Sequence, residues 1–442
     1  KMCIRDRHID RQILQIALPS IVSNITVPLL GLIDVAIVGH LGSPAYIGAI
    51  AVGGMLFNII YWIFGFLRMG TSGMTSQAYG KRDLPEIVRL LMRSVGIGLA
   101  VALCLILLQV PIRQTAFLII HPTAEVREMA TLYFHICIWG APAMLGLYGL
   151  SGWFIGMQNS RIPMYIAITQ NIVNIIASLS FVCFFKMKVE GVAFGTLIAQ
   201  YAGFIMGLVL WMSRYGKLKK YILWKGVLQK EAMMRFFQVN RDIFLRTLCL
   251  VTVTLFFTSA GASQGEIILA VNTLLMQLFT LFSYVMDGFA YAGEALSGRY
   301  IGARNRKAFT NTTRHLFIWG GWLAAFFTLV YALGGNAFLG LLTDNKDVVS
   351  AAGTYFYWAL AIPVAGIAAF IWDGIFIGAT ATRGMLASMA IAAISFFVVY
   401  YGLRPVLGNH ALWLAFLVYL AMRGVVQTLL SPKIIKENFT QP

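Results

Sequence analysis

Twelve long apolar runs, separated by short polar segments, constrain this chain more than any other feature of its sequence. A helix that crosses a lipid bilayer needs about 20 predominantly apolar residues, and each run is close to that length or longer. The runs lie at 13–38, 47–75, 94–112, 129–152, 162–185, 191–212, 243–261, 267–296, 316–334, 351–378, 384–402 and 409–430. Most contain Gly or Pro, which membrane-spanning helices tolerate better than soluble ones. We therefore predict an all-α polytopic membrane protein of twelve transmembrane helices.

The scarcity of charge excludes several classes of protein. Charged residues make up 12% of the 442 residues and hydrophobic residues 59%. The charged share is about half that of an ordinary soluble domain, which excludes a soluble enzyme, a nucleic-acid binder and a disordered chain. We expect membrane lipid and a small molecule as partners, and no nucleic acid. The five cysteines form no C-x-x-C pair, so we expect neither a metal cluster nor a disulfide framework.

The basic residues orient the chain in the membrane. With the N-terminus inside, 25 of the 34 Lys and Arg residues fall in inner segments, and six fall in outer loops. Because basic loops resist translocation, we expect both termini in the cytoplasm. The longest inner segment, 213–241, interleaves basic and aromatic residues, and we expect it to lie on anionic headgroups. The opening segment, Lys1–Arg7, differs in character from the apolar chain after it, and we leave it out of the fold prediction.

An internal repeat at an offset of 222 residues divides the chain into two related halves. Phe154-Ile155-Gly156 recurs as Phe376-Ile377-Gly378, and Gly80 with Arg82 recurs as Gly302 with Arg304. Transporters use such parallel repeats to enclose a site at their interface. The prediction is a six-helix lobe at 8–212, a cytoplasmic basic linker at 213–239 and a second six-helix lobe at 240–431, arranged with pseudo-symmetry around a central cavity.

Ionisable residues inside apolar runs are candidates for function, because a charge at the centre of a bilayer costs several kcal/mol. The acidic ones are Asp34, Asp287, Glu294 and Asp373, and the basic ones are Arg68, Arg246 and Arg423. A buried charge without a partner is strongly destabilising. We therefore predict that Asp287 or Glu294 lies within ion-pair reach of Arg246 or Arg68. A carboxylate paired in this way suits a structural or gating role more than direct transport.

Asp34 differs from the other three, because its helix contains no basic neighbour in the membrane. Such a carboxyl could bind and release a proton, or ligate a monovalent cation such as Na⁺. The alternative is a structural Asp that is hydrogen-bonded to an amide or to the backbone. In the run at 162–185, Asn171, Asn174 and Ser178 form a polar stripe that serves either helix packing or contact with a cation or substrate.

Five stretches together form a pattern that covers both halves. They are Leu18-Pro19 through Asp34 to Gly39-His40-Leu41-Gly42; Phe66-Leu67-Arg68-Met69-Gly70-Thr71 with Gln77-Ala78-Tyr79-Gly80; Asn240-Arg241-Asp242-Ile243-Phe244-Leu245-Arg246-Thr247; Asp287-Gly288-Phe289-Ala290-Tyr291-Ala292-Gly293-Glu294; and Asp373-Gly374-Ile375-Phe376-Ile377-Gly378-Ala379. With them, the chain resembles the multidrug and toxic compound extrusion (MATE) transporters, and most closely their DinF branch.

The resemblance implies a bacterial inner-membrane antiporter that exports cationic or amphipathic compounds in exchange for protons or sodium. It implies no cofactor beyond the ion gradient, and a monomer. It assigns ion coupling to Asp34, with Asn174 and the residue four positions later as partners. That later position is Ser178, where the family has a second carboxylate, so this chain departs from the two-carboxylate pattern. In the second half, Asp287 and Asp373 match acidic positions of the branch.

Three other functions remain open at this point. A flippase for a lipid-linked precursor shares the architecture, but four acidic against three basic residues inside the apolar runs favour a cationic cargo. An intramembrane protease would need a Gly-x-Gly-Asp segment, which the sequence lacks. A passive channel fits two bulky halves less well than alternating access does. Since no P-loop is present, transport would draw on an ion gradient.

Overall fold

The computed structural model describes residues 2–440, with side chains from Ile4 onward, and within that range it contains helices and no strands. The α-helices are α1 (Met2–Gly39), α2 (Pro44–Ile63), α3 (Phe66–Lys81), α4 (Leu84–Leu107), α5 (Gln109–Ile120), α6 (Ala124–Cys137), α7 (Ala141–Gly156), α8 (Arg161–Cys183), α9 (Val189–Arg214), α10 (Lys230–Ala262), α11 (Glu266–Gly302), α12 (Arg306–Leu342), α13 (Lys346–Gly378), α14 (Thr382–Leu407) and α15 (Asn409–Phe439). Twelve helical segments of the described chain are long and apolar enough to cross a membrane. The predicted fold class is confirmed.

Three predicted spans are each divided between two helices. The span at 94–112 is divided between α4 and α5 at Leu108. The span at 47–75 is divided between α2 and α3 at Phe64 and Gly65, where the amide of Gly65 bonds the carbonyl of Trp62, one residue short of the α-helical partner. The span at 129–152 is divided by a 3₁₀ turn, Ile138–Gly140, just before Pro142. Proline has no amide hydrogen to continue the helical ladder. The counterparts of these three spans in the second half, α11, α12 and α13, are continuous.

The chain divides into two compact units, one of Val22–Asn240 and the other of Lys1–Ile21 with Arg241–Pro442. This division differs from the predicted lobes at 8–212 and 240–431 in two places. The first half of α1 belongs to the second unit, where Asp10 meets His315 of α12 (2.8 Å) and the Tyr300 hydroxyl donates to Gln12. The linker predicted at 213–239 belongs to the first unit, since Arg93 of α4 binds its backbone. Residue Lys1 lies outside the described part of the chain.

The repeat is visible in the backbone of a turn that both units contain. Arg82 and Arg304, which are 222 residues apart, have φ angles of 56° and 55°, in the left-handed region. The residue after each of them caps the next helix: Asp83 accepts a hydrogen bond from the third amide of α4, and Asn305 does the same for α12. Both turns therefore end one helix and start the next by the same device.

The same close helix crossing is also found in both units. A Cβ on Gly152 of α7 would lie 2.4 Å from the carbonyl oxygen of Arg68 in α3. A Cβ on Gly374 of α13 would lie 2.2 Å from the carbonyl oxygen of Ala290 in α11. Both glycines and both carbonyls are 222 residues apart, and another glycine follows four residues later in α7 and in α13. Only glycine allows the two backbones to approach this closely.

Candidate functional site

Asp34 of α1 lies in a polar pocket inside the first unit, and it is only 5% exposed. The Asn174 side chain of α8 donates from Nδ2 to Oδ1 of Asp34 at 3.0 Å. The Thr196 hydroxyl of α9 donates to Oδ2 at 3.1 Å. Each carboxylate oxygen therefore accepts one hydrogen bond, and the two donors come from two different helices.

Ser178 lies one step away from the carboxylate. Its hydroxyl donates to Oδ1 of Asn174 at 3.3 Å, one helical turn earlier in α8. A Cβ on Gly195 of α9 would lie 2.1 Å from that hydroxyl, so α9 must carry glycine where it passes Ser178. Ser178 thus orients the amide of Asn174, and the structure shows it bonding that amide rather than Asp34.

Asn171 gives α8 a second attachment to α1. Its Nδ2 donates to the backbone carbonyl of Thr26 at 3.1 Å, while the Thr26 hydroxyl bonds the carbonyl of Val22 within α1. The amides at positions 171 and 174 therefore hold α1 at two levels. The polar stripe predicted in this helix serves helix packing at Asn171 and contacts the carboxylate at Asn174.

Thr196 was not among the predicted site residues. A single threonine in a membrane helix is common, and its hydroxyl usually bonds the carbonyl four residues earlier. Its position next to Gly195 was the one available signal, since small residues mark close approach of membrane helices. Recognising the contact also required knowing that α9 packs beside α8 and faces α1.

The surroundings of Asp34 are electrically neutral. Within residues 2–440, no Lys, Arg or His side chain contacts its carboxylate, and its hydrogen-bond partners are an amide and a hydroxyl. No group of three or more His, Cys, Asp and Glu side chains in that range could hold a metal ion. What the pocket does offer is a set of oxygen atoms from Asp34, Asn174, Ser178 and Thr196.

The second unit contains a buried charge cluster centred on Asp373 of α13. Oδ2 of Asp373 accepts hydrogen bonds from Arg246 of α10, at 2.6 Å, and from Arg423 of α15. Oδ1 accepts one from Gln427 of α15 at 2.7 Å. The guanidinium of Arg423 also lies over the ring of Tyr419, 5.5 Å from its centroid. Asp373 thus ties three helices together.

The remaining predicted residues lie in α3 and α11. Glu294 is 1% exposed, and its backbone carbonyl faces Gly378. Asp287 is half-buried and close enough to Arg423 for their charges to interact. Arg68 is half-buried in α3. Arg246 binds Asp373, and its predicted pairing with Asp287 or Glu294 stays a prediction.

Comparison with known proteins decides the family. The MatE family model matches the chain twice, at residues 19–179 and 243–403. The chain belongs to the MATE family. It is 39% identical to the Escherichia coli DNA damage-inducible protein F over 94% of this chain and 90% of that protein. It is 24% identical to Protein DETOXIFICATION 44, chloroplastic, of Arabidopsis thaliana, over 94% of this chain and 81% of that one.

The fold agrees with this assignment. A crystal structure of a Vibrio cholerae MATE transporter in the bent form superposes with a TM-score of 0.86 at 17% identity, covering 98% of both chains. The resemblance to MATE transporters and to their DinF branch is confirmed. This MATE protein is therefore a multi-pass membrane transporter and not an intramembrane enzyme.

Proposed function

We propose that this MATE protein is a secondary antiporter that exports organic cations or amphipathic compounds in exchange for an ion, with Asp34 as the coupling group. The observation that supports this is a buried carboxylate that has only neutral partners. An antiporter must bind ion and cargo in opposite states. A carboxylate that is not held in an ion pair can change its charge without leaving a buried arginine unpaired.

Thr196 allows the pocket to accept both forms of Asp34. The Asn174 Nδ2 group can only donate, so it suits the ionised carboxylate. A hydroxyl can donate or accept, and the Thr196 hydroxyl lies 3.1 Å from Asp34 and 3.5 Å from Oδ1 of Asn174. When Asp34 gains a proton, Thr196 can accept from it and turn its own hydrogen toward Asn174. The Thr196 hydroxyl thereby keeps Asp34 and Asn174 hydrogen-bonded whether Asp34 is ionised or protonated.

Proton and sodium coupling would use the pocket differently. A proton needs only Asp34 and a partner whose hydrogen can turn. Sodium would need several oxygen ligands, for which the side chains of Asp34, Asn174, Ser178 and Thr196 are available. We favour the proton because the hydroxyls of Ser178 and Thr196 already donate hydrogen bonds to the side-chain oxygens of Asn174 and Asp34. We further propose a location in the bacterial cytoplasmic membrane as a monomer.

The test is transport of a fluorescent organic cation by purified protein in vesicles, with a proton gradient and a sodium gradient imposed separately. Asp34→Asn keeps the size and hydrogen bonding of the side chain, so it should fold and insert yet lose gradient-driven transport. The matched control is Asp344→Asn, at an exposed position between α12 and α13. Wild-type rate and unchanged pH dependence in Asp34→Asn would assign coupling to another group.

Thr196 gives a second, more specific prediction. Thr196→Val keeps the shape of the side chain but cannot accept the proton of Asp34, so the pH profile of transport should shift. Thr196→Ser retains the hydroxyl and should restore the wild-type profile. If valine and serine behave alike, the hydroxyl takes no part in proton exchange.

A further inference from the structure

The segment that joins α9 to α10 is folded against α4 rather than extended. A 3₁₀ helix, Gly216–Tyr221, leads into a turn in which the amide of Val227 bonds the carbonyl of Trp224 at 3.2 Å. Val227 is buried beneath this turn, at 2% exposure. We call residues 222–228 the linker turn.

Arg93 of α4 fixes the linker turn by two hydrogen bonds. Its Nε donates to the carbonyl of Val227 at 2.8 Å, and Nη2 donates to the carbonyl of Gly226 at 2.9 Å. Nη1 pairs with Glu86 at 2.9 Å, which keeps the guanidinium in place. Arg93 is only 3% exposed. Buried charged groups fixed in this way hold a backbone in one geometry.

Gly226 sets the shape of the linker turn. Its φ of +87° lies in the region that side chains rarely adopt, and a Cβ there would lie 3.2 Å from Nε of Arg89. The turn backbone therefore lies directly against the guanidinium of Arg89. One N–H group of Arg89 meets Glu86 at 3.3 Å, and the side chain keeps 35% of its surface exposed.

The linker turn exposes apolar side chains on a basic background. Leu223 is 62% exposed, and Trp224 and Leu228 are each 73% exposed. Lys217, Lys219, Lys220 and Lys225 are exposed in the same segment. The segment follows the end of the membrane-spanning helix α9 at Arg214, which places it at the level of the headgroups. Tryptophan at that level is typical of a membrane interface.

A groove of about 610 Å³ opens between the linker turn and the start of α4. Its walls include Pro85, Arg89, Tyr221, Trp224, Lys225 and Leu228. The groove combines two cationic side chains with two aromatic rings and aliphatic carbon. This combination suits a phosphate that is attached to a hydrocarbon chain better than it suits a free anion.

We propose that this groove binds the headgroup of an acidic phospholipid from the leaflet that the basic residues assign to the cytoplasm. Arg89 and Lys225 contact the phosphate, and Trp224 and Leu228 contact the glycerol and upper acyl carbons. The inference concerns a lipid site on the first unit and is independent of Asp34 and of the transported compound.

Native mass spectrometry of the full-length protein, titrated with phosphatidylglycerol or phosphatidylcholine, tests the site. Removing the charge of a basic residue that contacts the lipid phosphate should cost about 1 kcal/mol, which is about fivefold in affinity. Arg89→Gln with Lys225→Gln should therefore weaken phosphatidylglycerol binding about 25-fold. The matched control is Lys217→Gln with Lys219→Gln, two exposed residues of the same segment that do not line the groove. An equal loss in the control, or no preference for phosphatidylglycerol, would overturn the proposal.

Hydrogen exchange of the turn amides supplies a second readout. In nanodiscs of phosphatidylcholine alone, the amides of the linker turn should exchange faster than in nanodiscs that contain phosphatidylglycerol. Trp224→Ala, at an exposed position that leaves the fold intact, should reduce that difference. If dissolved glycerol phosphate protects the turn equally well in phosphatidylcholine nanodiscs, the groove binds a free anion and the lipid assignment is wrong.

Discussion

Asp34 in the first unit and Asp373 in the second are both buried, but they have opposite surroundings. Asp34 accepts hydrogen bonds from an amide and a hydroxyl, whereas Asp373 accepts them from two guanidinium groups and an amide. A carboxylate between two arginines is an ion-paired anchor, and its loss leaves buried positive charge without a partner. A carboxylate among neutral donors carries no such constraint. The two residues therefore suit different tasks, although both are acids inside a membrane helix.

The anchoring role of Asp373 leads to a stability prediction. Asp373→Asn should lower the free energy of unfolding by about 3–5 kcal/mol, because Arg246 and Arg423 would stay buried without a counter-charge. Thermal unfolding of the purified protein in one detergent is the measurement. The exposed control, Asp344→Asn, should stay within about 0.5 kcal/mol of the wild type. Equal stability of the two variants would mean that the cluster does not hold the second unit together.

The sequence predicted the members of these sites better than their pairing. Asn174 was identified in the polar stripe, the family resemblance paired it with Asp34, and that contact is present. Thr196 was missed because it lies 162 residues from Asp34, and its position next to Gly195 is the one local signal. Arg246 or Arg68 was predicted to pair with Asp287 or Glu294 of α11, and the structure shows a hydrogen bond from Arg246 to Asp373 in α13. The free-energy cost of burying a charge predicts that a buried arginine has a partner. Which residue is the partner depends on which helices are neighbours.

The lengths of the apolar runs predicted all twelve membrane-spanning segments. They did not predict the positions at which a segment is interrupted. The ends differ because helices continue beyond the apolar run, as α1 does from Met2. The breaks at Gly65 and before Pro142 follow local hydrogen bonding, to which hydropathy is insensitive. Pro142 lacks an amide hydrogen, so the break before it can be recognised in the sequence, whereas Gly65 has no such chemical mark.

The two equivalent helix crossings, at Gly152 and Gly374, can be tested by substitution. Gly152→Ala and Gly374→Ala each place a methyl group against a backbone carbonyl, which cannot move aside as a side chain can. Overpacking typically costs about 1–3 kcal/mol, and we expect both variants at the upper end of that range in thermal unfolding.

Gly96→Ala is the matched control for these two substitutions. Gly96 lies in α4 with no atom within 4 Å of its would-be Cβ, so alanine should be neutral or stabilise the helix by about 0.5–1 kcal/mol. A destabilisation at Gly96 equal to that at Gly152 would show that the close approach at the crossing does not set the cost.

For the whole molecule, the distribution of basic residues predicts topology. Both termini should be cytoplasmic, because 25 Lys and Arg residues lie in the segments on that side and six lie in the opposite loops. A green fluorescent protein fused after the last residue should fluoresce, and alkaline phosphatase at the same point should be inactive. Fusions at Asp344, between α12 and α13, should give the reverse result. Active phosphatase at the C-terminus would invert the topology.

The twofold helix crossing has a consequence for the history of the chain. Gly152 and Gly374 occupy equivalent positions, yet the equivalent of Asp34 is Phe256, and the equivalent of Asp373 is Ser151. A gene that doubled kept its architecture in both copies and let the chemistry of each copy diverge. Inheritance conserved the scaffold where backbones touch, and specialisation proceeded at other positions. The two units that descend from one ancestral unit therefore differ in chemistry. One contains a buried carboxylate with neutral partners, and the other contains an ion-paired carboxylate.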